Sequence, residues 1–222
     1  MTQSKKIVFA LPKGRLAKEV KPLLTAAGLE PEAAFFDDSD RRLRFATSNP
    51  NVDLIPVKPF DVATFVAHGG ADLGIVGADV LFEFAYSEVY SPVDLNIGHC
   101  RLSVAGEPQT LADNPLDQMS HLKVATKYPG VATRYFAQLG LQTECIKLNG
   151  SIELAPKLGL CTRIVDIVTT GNTLKANGLV EEAVIHQATS RLIVNRTALK
   201  TRSAELRGWI DTFDTLAKAQ NP

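Results

Sequence analysis

The residues best suited to chemistry lie between Ile164 and Leu179, in the string IVDIVTTGNTLKANGL. Ile164, Val165, Ile167 and Val168 are β-branched and surround one acid, Asp166, which reads as a strand that ends at a site rather than at a solvated edge. Thr169, Thr170, Gly171, Asn172 and Thr173 then form a hydroxyl-rich turn, after which Leu174, Lys175 and Ala176 resume a helical pattern. Such a turn offers an anion free backbone N–H groups and the positive end of a helix. Gly171 allows close approach of the main chain, and the hydroxyls add donors. The other reading is a threonine-capped strand-to-helix turn with no ligand.

Further candidates are scattered along the chain. In Leu11-Pro12-Lys13-Gly14-Arg15 a strand end is followed by two cations around a glycine, which suits a polyphosphate at the carboxyl edge of an α/β sheet; surface cations lying along a helix are the alternative. Gly74, Gly77 and Asp79 suggest a turn on which a flat ring or a phosphate could rest, and tight strand-to-helix packing explains them equally well. Glu153 follows the turn Asn149-Gly150-Ser151 and could cap a helix. Cys100 alone would suit a core, whereas the guanidinium of Arg101 beside it is a candidate purine or phosphate contact. His99 has no carboxylate partner in the sequence and receives no catalytic role.

Short apolar strands alternating with amphipathic helices must position these groups. Ile7 to Leu11 reads as a buried strand, and Leu16, Val20, Leu23, Leu24 and Ala27 recur at helical spacing until Gly28. Strands are expected at Leu43–Ala46 and Val52–Val57, a helix capped by Asp61, a strand at Leu73–Val76 and a helix at Asp79–Ala85. A long strand pair from Val93 through Ala105, a polar connector from Glu107 to Pro115, and strands at Lys123–Thr126 and Glu144–Leu148 follow. Helices are expected around Ala132–Leu139 and Ile152–Leu158. Ala183 to Val194 reads as one strand-like run and Ala204 to Ala219 as a closing helix. The pattern is α/β, with two α/β lobes and a central cleft. The first lobe is expected to span residues 1–91 plus 180–222 and the second residues 92–179.

The 222 residues are 45% hydrophobic, enough for a substantial core, and Lys+Arg and Asp+Glu both total 24. A neutral chain without a long basic run argues against a nucleic-acid binder, so any anion site is local. The apolar run Ile7–Leu11 is too short for a signal peptide, and no stretch approaches a membrane span. Cys100, Cys145 and Cys161 form no C-x-x-C pair and share no ligand spacing with the four histidines, which fits reduced thiols in a cytoplasmic protein and disfavours zinc.

Asp166 before T-T-G-x-T resembles the diphosphoribose loop of phosphoribosyltransferases. The type I version has two adjacent acids, and here Ile167 occupies the second place, which argues against a nucleobase salvage enzyme. More strings occur in order: LPKGR, ADLGIVGADVLFE from Ala71, Gly98-His99-Cys100-Arg101-Leu102, ATKYPG from Ala125, GSIELAP from Gly150, then TTGNT. Together, from Ile7 to Thr197, they resemble the short form of the ATP phosphoribosyltransferase family, which catalyses the first step of histidine biosynthesis.

The resemblance implies a fold like the type II periplasmic-binding proteins. It also implies transfer of the phosphoribosyl group of phosphoribosyl pyrophosphate to N1 of ATP. Asp166, Glu153 and Thr169 to Thr173 would hold phosphoribosyl pyrophosphate. Lys13, Gly14, Arg15, Gly77, Asp79, Cys100 and Arg101 would contact ATP, and Lys58, Arg41 and Lys13 would stabilise the leaving pyrophosphate. Mg2+ would be held mainly through substrate phosphates, with Glu153 and Asp166 as its protein ligands. The short form also implies a self-dimer, and a hetero-oligomer with a regulatory subunit similar to histidyl-tRNA synthetase in place of a C-terminal regulatory domain.

Two departures from the family pattern stand out. Lys58 replaces a usual arginine, keeping charge but losing the bidentate fork. Thr162 replaces a usual acid before the loop, which raises the expectation of altered Mg2+ binding. Other classes compete: a periplasmic-type solute-binding protein, disfavoured by the missing export signal; a type I nucleobase phosphoribosyltransferase, disfavoured by Ile167; and a non-catalytic nucleotide-binding subunit, supported only by Lys58 and Thr162.

Overall fold

The computed structural model describes residues 5–37 and 39–219. Its chain forms two compact α/β units, the first of residues 1–81, 85–98 and 189–222 and the second of residues 82–84 and 99–188.

The first unit is built on a six-stranded sheet in the order β2-β3-β1-β4-β11-β5. These strands are β1 (Ile7–Pro12), β2 (Phe45–Ala46), β3 (Val52–Val57), β4 (Leu73–Gly77), β5 (Val89–Asp94) and β11 (Ser190–Asn195). β1 pairs in parallel with both β3 and β4. Every residue of β1 is buried, as a parallel strand covered on both faces must be. The pleat explains which partner each residue meets: Ile7, Phe9 and Leu11 pack with Leu24 of α1 (Arg15–Ala26) and with Leu206 and Phe213 of α9 (Ser203–Ala219). Val8 and Ala10 face Val62 and Val66 of α2 (Pro59–Ala67). A Cβ on Gly74 would approach Val62 and Val66 to 2.9 Å, so that glycine lets α2 settle on β4. The apolar side of the closing helix, including Trp209 and Ile210, lies on this core.

The second unit carries a five-stranded sheet in the order β10-β6-β9-β7-β8. Its strands are β6 (Cys100–Gly106), β7 (His121–Thr126), β8 (Gln142–Lys147), β9 (Arg163–Val168) and β10 (Val180–Ala188). β7 runs parallel to β8 and β9, while β6 is antiparallel to β9 and β10. The helices are α4 (Pro108–Asp113), α5 (Pro129–Gln138), α6 (Leu154–Lys157) and α7 (Asn172–Ala176). α3 (Ala78–Phe84) bridges the two assignments, and α8 (Arg196–Thr201) precedes α9.

Several local expectations are revised. Ala183–Val194 is not one strand: β10 pairs with β6 and β11 with β4 and β5, so the chain changes sheet at Thr189. Val180–Ala188 is therefore grouped with the second unit and Val93 with the first. The long pair from Val93 to Ala105 is likewise divided, since β5 and β6 belong to different sheets. The connector from Glu107 contains α4. Asp61 lies in the first turn of α2 and Lys58 occupies the N-cap position, with Pro59 supplying the fixed φ that starts the helix.

Candidate functional site

The expected residues of the second unit gather at one edge of its sheet. β9 ends at Val168 and the chain turns through Thr169 and Thr170 to Gly171, which has φ 81° and ψ −1° and stands at the N-cap of α7. A side chain is strained in that left-handed conformation, which is the local reason for glycine here. A cavity of about 130 Å³ lies over this turn, lined by Glu153, Asp166, Ile167, Thr169, Thr170, Gly171 and Thr173. Asp166 is half-buried, and its Oδ1 accepts from the N–H of Ile167 at 2.8 Å. Glu153 sits at the N-cap of α6 in helical conformation and its side chain makes no capping hydrogen bond, so capping does not account for it.

Among the described residues, hydrogen bonds within the protein engage one main-chain N–H between Thr169 and Thr173, that of Asn172, to Thr170 Oγ1 at 3.4 Å. The remaining donors are available to an anion in the cavity. α7 has five residues, too few for a large macrodipole, so the loop amides and hydroxyls rather than the helix provide the attraction.

Arg101, at the start of β6, pairs with Val168 across the ladder. Its Nε donates to the Glu181 carboxylate at 2.8 and 3.1 Å, and its Nη1 to the Thr169 carbonyl at 3.2 Å. Cys100 beside it is half-buried. Thr162 is placed elsewhere: it precedes β9, at the opposite end of that strand from the loop and about 13 Å from Asp166 at the usual strand rise. Thr162 therefore does not line that cavity. Its neighbour Arg163 is fully buried and ion-paired with Glu182, Nε to Oε2 at 2.7 Å and Nη2 to Oε1 at 2.8 Å, while Nη2 also donates to the Asn114 carbonyl at 2.7 Å. Nothing adjacent in the sequence marks the pairing of Arg101 with Glu181 or of Arg163 with Glu182.

In the first unit the candidates follow the carboxyl ends of three neighbouring parallel strands, where open α/β sheets bind ligands. Lys13, Gly14 and Arg15 follow β1, Lys58 follows β3, and Gly77 ends β4 with Asp79 two residues on. The N–H of Lys13 bonds the Val57 carbonyl at 2.9 Å, which keeps the Lys13 and Lys58 positions adjacent. Gly14 has φ 88°, and a Cβ there would meet nothing within 4 Å. Gly77 has a different reason to be glycine: an added Cβ would lie 2.0 Å from Asp79 Oδ1, so the carboxylate occupies the space where a side chain would stand. This favours the packing account of that glycine. Arg15 makes a 3.4 Å ion pair with Glu19 on the next helical turn.

A second cavity, of about 100 Å³, is lined by Lys13, Gly14, Lys18, Phe35, Phe36 and Arg42, among others. Arg42 is held by Asp40 at 3.0 Å and Glu32 at 3.0 Å. The Arg42 side chain and N–H hold the Asp40 carboxyl below its usual range. The Ala46 N–H and then Arg42 do the same for Glu32. Arg41 is exposed and does not line this cavity, whereas the adjacent Arg42 does.

Cys145 and Cys161 are pushed up by burial, which removes them as thiolate nucleophiles near neutral pH. Among the described residues no cluster of three or more His, Cys, Asp or Glu is gathered. No helix among them is long and apolar enough to cross a membrane.

The family model described as HisG, ATP phosphoribosyltransferase, matches residues 58–215. The ATP phosphoribosyltransferase of Paramagnetospirillum magneticum is 60% identical over 96% of this chain and 97% of its own length. That of Novosphingobium aromaticivorans is 56% identical over 100% and 99%. Among solved structures, the ATP phosphoribosyl transferase (HisG:HisZ) complex from Thermotoga maritima contains a chain that matches at TM-score 0.79 and 30% identity, covering 96% of this chain and 99% of that one. This chain belongs to the ATP phosphoribosyltransferase family, transferases of the first step of histidine biosynthesis.

Proposed function

We propose that the loop after β9 holds phosphoribosyl pyrophosphate while N1 of the ATP adenine attacks C1 of its ribose, giving phosphoribosyl-ATP and pyrophosphate. The single observation that carries this assignment is the cavity at the β9 turn, which joins two carboxylates, Glu153 and Asp166, to a loop with unengaged N–H groups. The loop amides and the Thr169, Thr170 and Thr173 hydroxyls would donate to the 5-phosphate. Asp166 and Glu153 would accept from the ribose hydroxyls. Such a site orients an electrophile and needs no side-chain nucleophile.

The displacement builds positive charge on the ribose and negative charge on the departing pyrophosphate. Lys58, Lys13 and Arg15, at adjacent strand ends of the first unit, are suited to neutralise polyphosphate. The small cavity at Lys13 and Gly14, lined also by Phe35 and Phe36, is the corresponding proposal for part of the ATP contact. Arg41 does not line that cavity and would act on the pyrophosphate from outside it. Mg2+, when bound, would supply charge neutralisation on the pyrophosphate. Glu153 and Asp166 fit it as hard oxygen donors, and the substrate phosphates would complete its ligands.

The neighbouring structure is a HisG:HisZ complex, which supports a proposal that this chain too dimerises and works with a HisZ-like regulatory subunit. The test is pyrophosphate release by the purified protein with Mg2+, phosphoribosyl pyrophosphate and either ATP or adenine, guanine, hypoxanthine or orotate. Release with ATP alone is expected. Release only with a free base would identify a salvage enzyme, and none with any acceptor a non-catalytic subunit. Adding the partner should confer inhibition by histidine; strong inhibition of the lone chain would refute the division of labour.

A further inference from the structure

We propose that Arg101 and Glu181 are positioning residues that set the loop for phosphoribosyl pyrophosphate without serving as its primary contacts, a role that rests on reading this loop as the phosphate site. The guanidinium of Arg101 spans two protein groups. Nε is held by both oxygens of Glu181, and Nη1 donates to the carbonyl of Thr169, the first residue of the loop. The Arg101 and Glu181 side chains are 30% and 27% exposed, so the pair is partly shielded from water.

The consequence follows from peptide planarity. The carbonyl of Thr169 and the N–H of Thr170 belong to one trans peptide unit and point in opposite directions. Holding that carbonyl on the Arg101 side fixes the Thr170 N–H on the other. Both residues line the cavity. Glu181 in turn fixes the fork of Arg101, whose five donors lie in one plane, so that Nη1 stays aimed at the carbonyl. Glu181 lies 80 residues from Arg101 in the chain, on an edge strand, and carries no motif of its own. Without it the arginine would still be charged but free to turn toward solvent, leaving the first loop peptide untethered.

The test is steady-state kinetics of Glu181→Gln, Glu181→Ala and Arg101→Lys. Misplacing a positioning group costs binding rather than charge, so the KM for phosphoribosyl pyrophosphate should rise about ten-fold or more in each. The KM for ATP should stay within about two-fold of wild type. Hydrogen exchange of the Thr170 amide should accelerate in the ligand-free Glu181→Gln protein. That variant keeps the shape of the side chain and serves if Glu181→Ala does not fold. A rise confined to the KM for ATP would make Arg101 a direct ATP ligand and overturn the proposal. An equal rise in both KM values, or no change in either, would overturn it too. Gly171→Val separates the two levels of the argument. If it loses phosphoribosyl pyrophosphate while Glu181→Gln keeps it, only the positioning role fails; if it keeps that substrate, the loop reading itself fails.

Discussion

The turns after β7 and β9 leave neighbouring parallel strands of one sheet and each starts a helix, yet one is closed and the other open. After β7, the start of α5 is filled from within: Glu83 accepts from the N–H groups of Gly130 and Val131, both at 2.9 Å. Arg134 ties the same segment by donating to the carbonyl of Phe82. A Cβ on Gly130 would come 3.1 Å from Glu83 Oε2, so this glycine serves the internal carboxylate. After β9, no side-chain carboxylate takes the loop amides among the described residues. The lesson is that a glycine-containing turn before a helix is an anion site only when the protein has left its donors unpaired. A donor satisfied internally contributes to the fold, whereas one the protein leaves unpaired is open to a ligand.

The largest effect should come from closing the open turn. Gly171→Val places a β-branched residue at φ 81° and is expected to lower affinity for phosphoribosyl pyrophosphate about a hundred-fold. The strain itself costs about 1–2 kcal/mol. Calorimetric titration beside near-ultraviolet circular dichroism would distinguish lost binding from lost fold. Near-normal affinity in a folded variant would break the comparison.

Opening the closed turn is the converse. Glu83→Ala removes two charge-assisted hydrogen bonds and should cost about 2 kcal/mol of stability. It also frees two amides at the start of a ten-residue helix, so sulfate should raise the melting temperature of the variant more than that of wild type. Equal shifts would mean that the pairing by Glu83 is not what distinguishes the turns.

The same contrast holds among the cations of the first unit. Lys58 has no ion pair among the described residues, whereas Lys6 and Arg44 are both bound to Asp53, at 2.9 and 2.8 Å. Lys58→Ala should therefore lower the chemical rate about ten-fold in single-turnover measurements with little change in stability, and Lys58→Arg should preserve or raise it. Asp53→Asn should do the reverse, costing about 1 kcal/mol at pH 7 with the rate unchanged, since the partner cations are well exposed and screened. Burial pushes the Asp53 carboxyl up, but the hydrogen bonds and charges of Lys6 and Arg44 outweigh it and hold the group below its ordinary value. A depressed folded value gives stability that is present above the unfolded value of about 4 and lost as pH falls through the folded one. Urea unfolding should show the difference between variant and wild type shrinking as pH falls below about 4.

The sequence by itself determined the strand and turn at Asp166–Thr173, since β-branching, glycine and hydroxyl chemistry act on neighbours along the chain. It also determined β1 and the helix ending at Gly28, and the six ordered strings carried the family. It could not reveal that Glu83 seals a helix 47 residues away, that Glu181 holds Arg101, or that Glu182 neutralises a fully buried Arg163. Nor could it tell that Ala183–Val194 divides between two sheets or that Arg42 rather than Arg41 reaches the cavity beside Lys13. Local backbone preferences are written in adjacent residues. Which donor meets which acceptor depends on strand order and register, and only the tertiary structure decided those.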